Sequence, residues 1–387
     1  MAGSPLPPGA ECVIVGGGVV GCSLAYHLAR SGMRPLLLER GALGEGSTAR
    51  NAGGVRQQFS TEVNVRVGML SRRMLERFPE EIGSTADLRE IGYLFLATTD
   101  DEAAQFRANV EMQHRVGLGE VSLLDVERAR DMVPELRVED VTAATFCPTD
   151  GLAGPNEVTA GYAGAARRHG ATIVEGCEVV EITRHRGRVT GARTADGADV
   201  DASIVVNCAG PYAALVGRMA GVDIPVRPFR RHIFVTDPFA LSRPVPFVVD
   251  FHTSFYLHPE GEGLLLGMSD PDEPASFDTS VSWDFLEHLI EHATWRIPAL
   301  ERATIHTGWA GLYEVSPDNQ AIVGESPQLP GLWLCCGFSG HGFMQAPAMG
   351  HLLAETLLGR QPEIDLSPFT PARFESGGAL QPEAAVI

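Results

Sequence analysis

Gly16, Gly18 and Gly21 stand in a GxGxxG pattern directly after the apolar run Cys12-Val-Ile-Val15, and Glu39 closes a second apolar run 18 residues past the last glycine. Each residue type has a mechanical reason for its place. Gly16 makes a tight turn, Gly18 lets a pyrophosphate approach the backbone, and Gly21 lets the following helix pack on the strand. That helix opens at Val19 and Val20, and its free N–H groups and positive end attract phosphate. Glu39, followed by Arg40, can accept both ribose hydroxyls, which disfavours a 2′-phosphate and hence NADP. NAD and FAD both fit these residues. A second glycine cluster, Gly337-Phe-Ser-Gly-His-Gly-Phe-Met344, sets Gly337, Gly340 and Gly342 around a serine and a histidine far along the chain. Glycine at that density weakens local structure, so the turn is expected to serve a close backbone approach.

The elements that must hold these residues are legible around them. Val20, Leu24, Ala25 and Leu28 keep helical spacing until Ser31-Gly32, and Leu36-Leu-Leu38 reads as a second buried strand. The stretch from Gly44 to Phe59 has the glycine and small polar content of a loop that wraps a ligand. A nicotinamide domain would continue there into a third strand and helix, so the loop favours FAD. Ser47 and Thr48 are expected as hydroxyl donors to phosphate, with Arg50, Asn51, Ala52 and Gly53 continuing along the cofactor. Ala202 to Gly210 is a further buried strand, ending in the small-residue turn Cys208, Ala209, Gly210. Val158 to Arg168 reads as a helix, and Thr172 to Ile182 contains a strand. Gly92–Ala97, Arg231–Thr236, Phe255–His258 and Gly263–Gly267 read as antiparallel strands, the last two joined by a hairpin at Pro259-Glu-Gly-Glu-Gly.

Bulk properties limit the functions open to the chain. Its 387 residues leave room for two domains. With 30 basic against 49 acidic residues, net −19, the surface repels phosphate backbones and anionic lipid. No apolar run reaches the roughly 18 residues of a membrane helix. The start MAGSPLPPGAE lacks the basic and apolar regions of a secretion signal, so a cytoplasmic location is expected. The seven cysteines include no CxxC pair and are expected as buried thiols in a reducing compartment, and no metal site is expected. Both chain ends have the composition of disordered segments.

Together these motifs resemble the D-amino-acid oxidase-like superfamily of FAD-dependent oxidoreductases, and within it the branch of sarcosine oxidase β-subunits and dye-linked proline dehydrogenases. The resemblance runs through the GxGxxG unit, GSTARNAGGVRQQF, DGLAGPNEV at 150–158, NCAGPYA, GWAGLYEVSPDNQAIVG at 308–324 and GFSGHGF. It implies an α/β fold, α+β overall. A Rossmann-like FAD-binding domain (1–80, 150–215 and 305–373) interleaves with a substrate domain on a mainly antiparallel sheet (81–149 and 216–304), and 374–387 forms a disordered tail. Val179 would touch the adenine through its backbone. The turn Gly337-Phe338-Ser339-Gly340 leads into a helix whose N-terminus, Gly340 to Met344 with His341, Gly342 and Phe343, would face the pyrimidine edge of the flavin and stabilise negative charge there.

The same resemblance implies oxidation of the C–N bond of an amino acid or N-alkyl amino acid, such as sarcosine, proline or glycine, by hydride transfer to flavin N5. Arg56 is the candidate clamp for the substrate carboxylate, and Tyr313 a hydroxyl donor facing the substrate. His258 and His252 are candidates to hold the amine proton, and His341 has a backbone role first. Met344 replaces the lysine that helps bind the carboxylate in monomeric sarcosine oxidases. Leu265 replaces their oxygen-activating lysine, which points to a dehydrogenase feeding an electron carrier rather than oxygen. Gly311 and Arg50 replace the cysteine and histidine used for covalent attachment, so non-covalent FAD is expected. A flavoprotein subunit or assembly factor with mainly structural FAD, working beside a partner subunit, is the alternative.

Overall fold

The strand Cys12–Val15 is buried along its whole length because it lies inside a six-stranded sheet with apolar layers on both faces. Across that sheet the order is Ile322–Glu325, Leu332–Cys336, Val205–Asn207, Cys12–Val15, Pro35–Leu38 and Thr172–Val174. All neighbours are parallel except the first two. This is a computed structural model, describing residues 6–375 and 380–386. On one face, the helices Val19–Arg30, Pro155–Arg168 and Gly342–Leu357 bury Leu24, Leu28, Tyr162, Met349 and Leu353 in one cluster. On the other, a three-stranded antiparallel sheet (Val179–His185, Arg188–Thr194, Asp199–Asp201) and the helix Ala213–Met219 close the layer. No described helix is long and apolar enough to cross a membrane.

The second sheet has eight strands, in the order Ile305–Val315, Arg227–Thr236, Gly263–Met268, Tyr256–Glu260, Phe247–Asp250, Tyr93–Ala97, Ala143–Cys147 and Ser122–Leu124. It is antiparallel apart from the pair Phe247–Asp250 and Tyr93–Ala97. Alternation assigns its faces. Phe234, Leu257, Leu264 and Leu266 pack under the helix Trp283–Arg296, while Ile233, Tyr256, Leu265 and Phe247 face the opposite way. The expected hairpin joins Tyr256–Glu260 to Gly263–Met268. The expected strand at 231–236 begins earlier, at Arg227, because it pairs along the full length of Ile305–Val315. That partner opens the segment 305–373 yet belongs to this second sheet, and its far end reaches the first.

The chain ends depart from expectation wherever they are described. Residues 6–10 are docked: Asp201 N donates to the Pro8 carbonyl, Ala10 N donates back to Asp201 at 2.9 Å, and Leu6 packs on the apolar layer. In the tail, residues 380–386 fold back onto the body around a fully buried Glu383. Its carboxylate accepts from Ser60 N at 2.7 Å and Oγ at 2.5 Å, from Thr61 N and Oγ1, and from Asn64 Nδ2. A carboxylate with five donors explains the order that composition did not suggest. The expectation of disorder for 1–5, 376–379 and 387 falls outside the described residues.

One charged cluster pins the far side of the second sheet. Arg296, with 2 % of its side chain exposed, forks onto Asp140 at 2.8 and 3.0 Å, and its Nε donates to Asp250 at 2.9 Å. Asp250 is buried, so losing the guanidinium would strand its charge. We predict that Arg296→Met lowers unfolding stability by about 3–5 kcal/mol, measured by denaturant titration. A loss below about 1 kcal/mol would show that the cluster does not pin this face.

Candidate active site

One cleft of about 710 Å³ runs between the two sheets. At its nucleotide end, Gly16 has φ +110° and sits so close to Cys208 that a Cβ would strike the Cys208 carbonyl. A Cβ on Gly21 would overlap the Gly16 carbonyl oxygen, so Gly21 serves helix packing behind the cleft wall. Gly18 differs: its φ is −72°, and the nearest atom to an added Cβ is Thr48 Oγ1 at 3.3 Å. Thr48 alone would have to give slightly there, so the protein's own packing sets only a weak demand for glycine. Val19 N donates to Thr48 Oγ1 at 3.2 Å, leaving the threonine hydroxyl proton for another acceptor. Glu39 accepts from Gly17 N at 2.6 Å and Gly41 N at 2.8 Å, which holds its carboxylate at the cleft edge. Arg40 stacks 3.8 Å from the Tyr212 ring centroid, and Tyr212 stacks on Phe277, forming an aromatic flank at the end where Val179 lies.

The wrapping loop is fixed by backbone and side-chain bonds. Ser47 Oγ donates to the Leu312 carbonyl at 2.7 Å, so its proton is already committed. Arg50 donates to the Ala310 carbonyl at 3.1 Å while its own carbonyl accepts from Trp309. Asn51 bridges Thr48 and Gly53. Gly54–Val55 then pairs with Gly151–Leu152, and Asp150 accepts from Gln57 N at 2.8 Å and from the Gln57 and Gln58 amides. Burial raises the Asp150 carboxyl to about 6 against these stabilising donors.

The late glycine turn reaches the cleft at Gly340, His341, Gly342, Phe343 and Met344. Gly340 has φ +95°, and a Cβ there would overlap the Tyr313 ring. The crowding that demands glycine therefore comes from Tyr313. Gly337, Phe338 and Ser339, expected at the cofactor, lie behind the wall instead. Phe338 is in the core, Gly337 packs on Ile322 and Val226, and buried Ser339 accepts from Ser316 N at 3.1 Å. Gly53 is also off the cleft, which Ala52 and Gly54 line. Cys208, Ala209, Gly210 and Gly311 line it.

At the other end, Arg56 is 1 % exposed and touches the cleft beside His341. Its guanidinium donates to the Gln58 and Ala385 carbonyls and to His341 Nε2 at 3.0 Å. Arginine has no acceptor, so His341 is held with Nε2 bare. Burial, and then the Arg56 charge, hold its ring well below the usual histidine range. Neither other histidine reaches the cleft. His258 is fully buried under the loop, its Nδ1 2.8 Å from the Pro259 carbonyl, and burial lowers it to about 4. His252 is exposed in a separate depression, 2.9 Å from Glu102. The cleft wall instead holds Tyr93, Tyr256, Arg231 and Glu314, none of them expected from sequence.

A family model for FAD-dependent oxidoreductases, DAO, matches residues 11–356. The chain belongs to the DAO family of FAD-dependent oxidoreductases. Mitochondrial sarcosine dehydrogenase of Homo sapiens is 32 % identical over 388 residues, and mitochondrial dimethylglycine dehydrogenase of Rattus norvegicus is 31 % identical over 396. Each match covers 96 % of this chain, but 42 % and 46 % of those proteins, so the chain spans less than half their length. Glycine oxidase of Geobacillus kaustophilus is 30 % identical, with 94 % of this chain and 97 % of that one covered. The solved L-proline dehydrogenase of P. horikoshii superposes with a TM-score of 0.90 at 34 % identity, covering 96 % of this chain and 99 % of that one.

The residues present fit FAD. The bare Gly18, the free Thr48 proton and the fixed Glu39 are what a dinucleotide requires. Gly18→Ala should therefore give a folded apoprotein with near wild-type melting temperature that retains no flavin, while Gly21→Ala should lower the melting temperature itself. A yellow Gly18→Ala protein would contradict the phosphate role. Glu314 supplies a pH signature. Burial raises its carboxyl from 4.5 to about 7, against amide donation from Gly337 and Phe338. The folded state thus binds this proton more tightly than the unfolded chain. The contribution is full below 4.5 and is lost as pH rises through about 7. Glu314→Gln should flatten the fall in apoprotein melting temperature across that window, and an unchanged slope would remove Glu314 as its source.

Proposed function

We propose that the protein oxidises the C–N bond of an amino acid or N-alkyl amino acid to an imine. One observation carries this reading: the dinucleotide cradle and a wall of phenols and guanidiniums share a continuous cleft. FAD held at Gly16, Gly18, Thr48 and Glu39 would supply the acceptor for a hydride from the carbon beside nitrogen. Arg56 would take the substrate carboxylate, displacing the Ala385 carbonyl from its guanidinium. His341, kept neutral, would orient Arg56 rather than move a proton. Tyr313 would donate its hydroxyl to the carboxylate or accept from the amine. The helix start at Gly342 would set unpaired N–H groups and positive dipole against an anion at the cofactor.

The FAD is non-covalent in this reading, since Gly311 and Arg50 carry no thiol or imidazole. Leu265 faces the apolar wall with Tyr256 and Phe247, so no lysine serves oxygen at that position. The cleft is not without positive charge, however, because Arg56 and Arg231 both line it. A dehydrogenase using a carrier as acceptor remains our reading, and reoxidation of the reduced protein by oxygen should be slow beside reoxidation by a dye.

Anaerobic addition of amino acids and N-methyl amino acids should bleach the visible flavin band. FAD that stays bound and unbleached across the panel would favour a mainly structural role instead. Arg56→Gln should retain FAD and raise KM for the acid about 100-fold, read by steady-state kinetics with a dye. An unchanged KM would remove Arg56 as the clamp.

A further inference from the structure

Arg230 and Arg231 are adjacent on the strand Arg227–Thr236 and therefore point to opposite faces. Arg230 is fully matched. Its Nε and NH2 donate to Glu273 at 3.1 and 3.2 Å, and its NH1 donates to Asp278 at 2.7 Å. Arg231 lines the cleft with Ile233 and has no ion pair among the described residues. Among the described residues its Nε, which is buried, has no hydrogen-bond partner, and NH1 donates to its neighbour's carbonyl, Arg230 O, at 2.9 Å. Glu273, a carboxylate that acts on Arg231, is already bonded to Arg230. Opposite Arg231 in register stands Gly311, which has no side chain to cover the guanidinium. Its Cζ sits 5.2 Å from the Tyr313 ring centroid, which places a cation over the aromatic face that also borders Gly340.

A half-buried guanidinium with unused donors is costly unless something anionic meets it. The pyrophosphate turn belongs to the first sheet, whereas Arg231 belongs to the second-sheet wall with Tyr256, Phe247 and Ile233. A substrate with one carboxylate can satisfy Arg56 and would leave Arg231 unmatched as the cavity fills. We infer that Arg231 receives a second carboxylate, so that the preferred substrate is an amino acid with an acidic side chain or an acidic N-substituent. This inference rests on the amino-acid oxidation proposed above and narrows its substrate class. The planar guanidinium offers paired N–H donors matched to a carboxylate, with the Tyr313 ring beside it.

The test uses FAD-loaded protein and matched pairs: aspartate with alanine, glutamate with norvaline, and iminodiacetate with sarcosine. Anaerobic flavin bleaching gives kcat/KM for each, and titration with succinate, which has no amine to oxidise, reports binding through the flavin spectrum. Within at least one pair the diacid should be strongly preferred. In Arg231→Gln, with FAD content and melting temperature checked against wild type, the diacid-to-monoacid ratio of kcat/KM should fall about 100-fold. Succinate affinity should fall with it, and Arg231→Lys should recover part of the preference. Monoacids that match or exceed every diacid in the wild type, or a ratio unmoved by Arg231→Gln, would overturn the inference while leaving amino-acid oxidation standing. Should no amine bleach the flavin while succinate binds in an Arg231-dependent way, the oxidation reading fails and the anion site stands.

Discussion

The Asp150 carboxylate is the constraint on which the Arg56 end of this cleft depends. It is fully buried and accepts from one backbone amide and two side-chain amides, all on Gln57 and Gln58. Those two residues follow Arg56, so the carboxylate fixes the loop that carries the guanidinium. The adjoining ladder of Gly54–Val55 with Gly151–Leu152 continues the same attachment into the backbone. A buried charge of this kind is stable only while its donors stay in place, which turns a flexible, glycine-rich loop into a rigid wall. The motif DGLAGPNEV, which carries no chemistry of its own, is explained by this role.

A second dependency links the two ends of the cleft. Tyr313 and Glu314 sit on a strand of the second sheet, yet Gly337 N donates to the Glu314 carboxylate at 2.9 Å and Ser339 N to its carbonyl at 3.0 Å. The late turn is therefore built against the second sheet as well as against the first. Three of its residues, Gly337, Ser339 and Gly340, have positive φ, and Ser339 holds that conformation through its bonds to Ser316 and Glu314. A shift of the Ile305–Val315 strand would move the helix N-terminus and Tyr313 together, so the two walls of the cleft are mechanically coupled through this turn.

The sequence made the nucleotide end legible because its determinants are local. The turn, the helix start and the acid at Glu39 lie within one strand-helix-strand unit, and each glycine has a steric reason readable from its neighbours. The end that holds Arg56 and Arg231 depends on long-range register. In Phe229-Arg-Arg-His-Ile-Phe, three consecutive polar side chains hide the alternation, and only pairing with Ile305–Val315 shows that Arg231 faces the cleft. His258 was on the correct face but at the wrong end, packed against Phe247 beneath the loop at Ala52. The C-terminal order was hidden for the same reason, since the donors to Glu383 lie more than 300 residues earlier.

The acidity of the whole chain and the cations of the cleft would pull the proposed acidic substrate in opposite directions. A net charge of −19 opposes the approach of any acid. Salt confines that repulsion to about 8 Å at physiological ionic strength. Inside the cleft, Arg56 and Arg231 act across shorter distances and in a lower dielectric than the surface acids do. On the proposed reading, selection of an acid would be a short-range matter of guanidinium geometry, and the surface would contribute mainly an on-rate penalty that falls as salt rises. The Ala385 carbonyl fits this balance. It gives Arg56 a neutral partner, and a substrate carboxylate at the proposed clamp would outcompete it, because an ion pair in a dry site is stronger than a bond to a carbonyl.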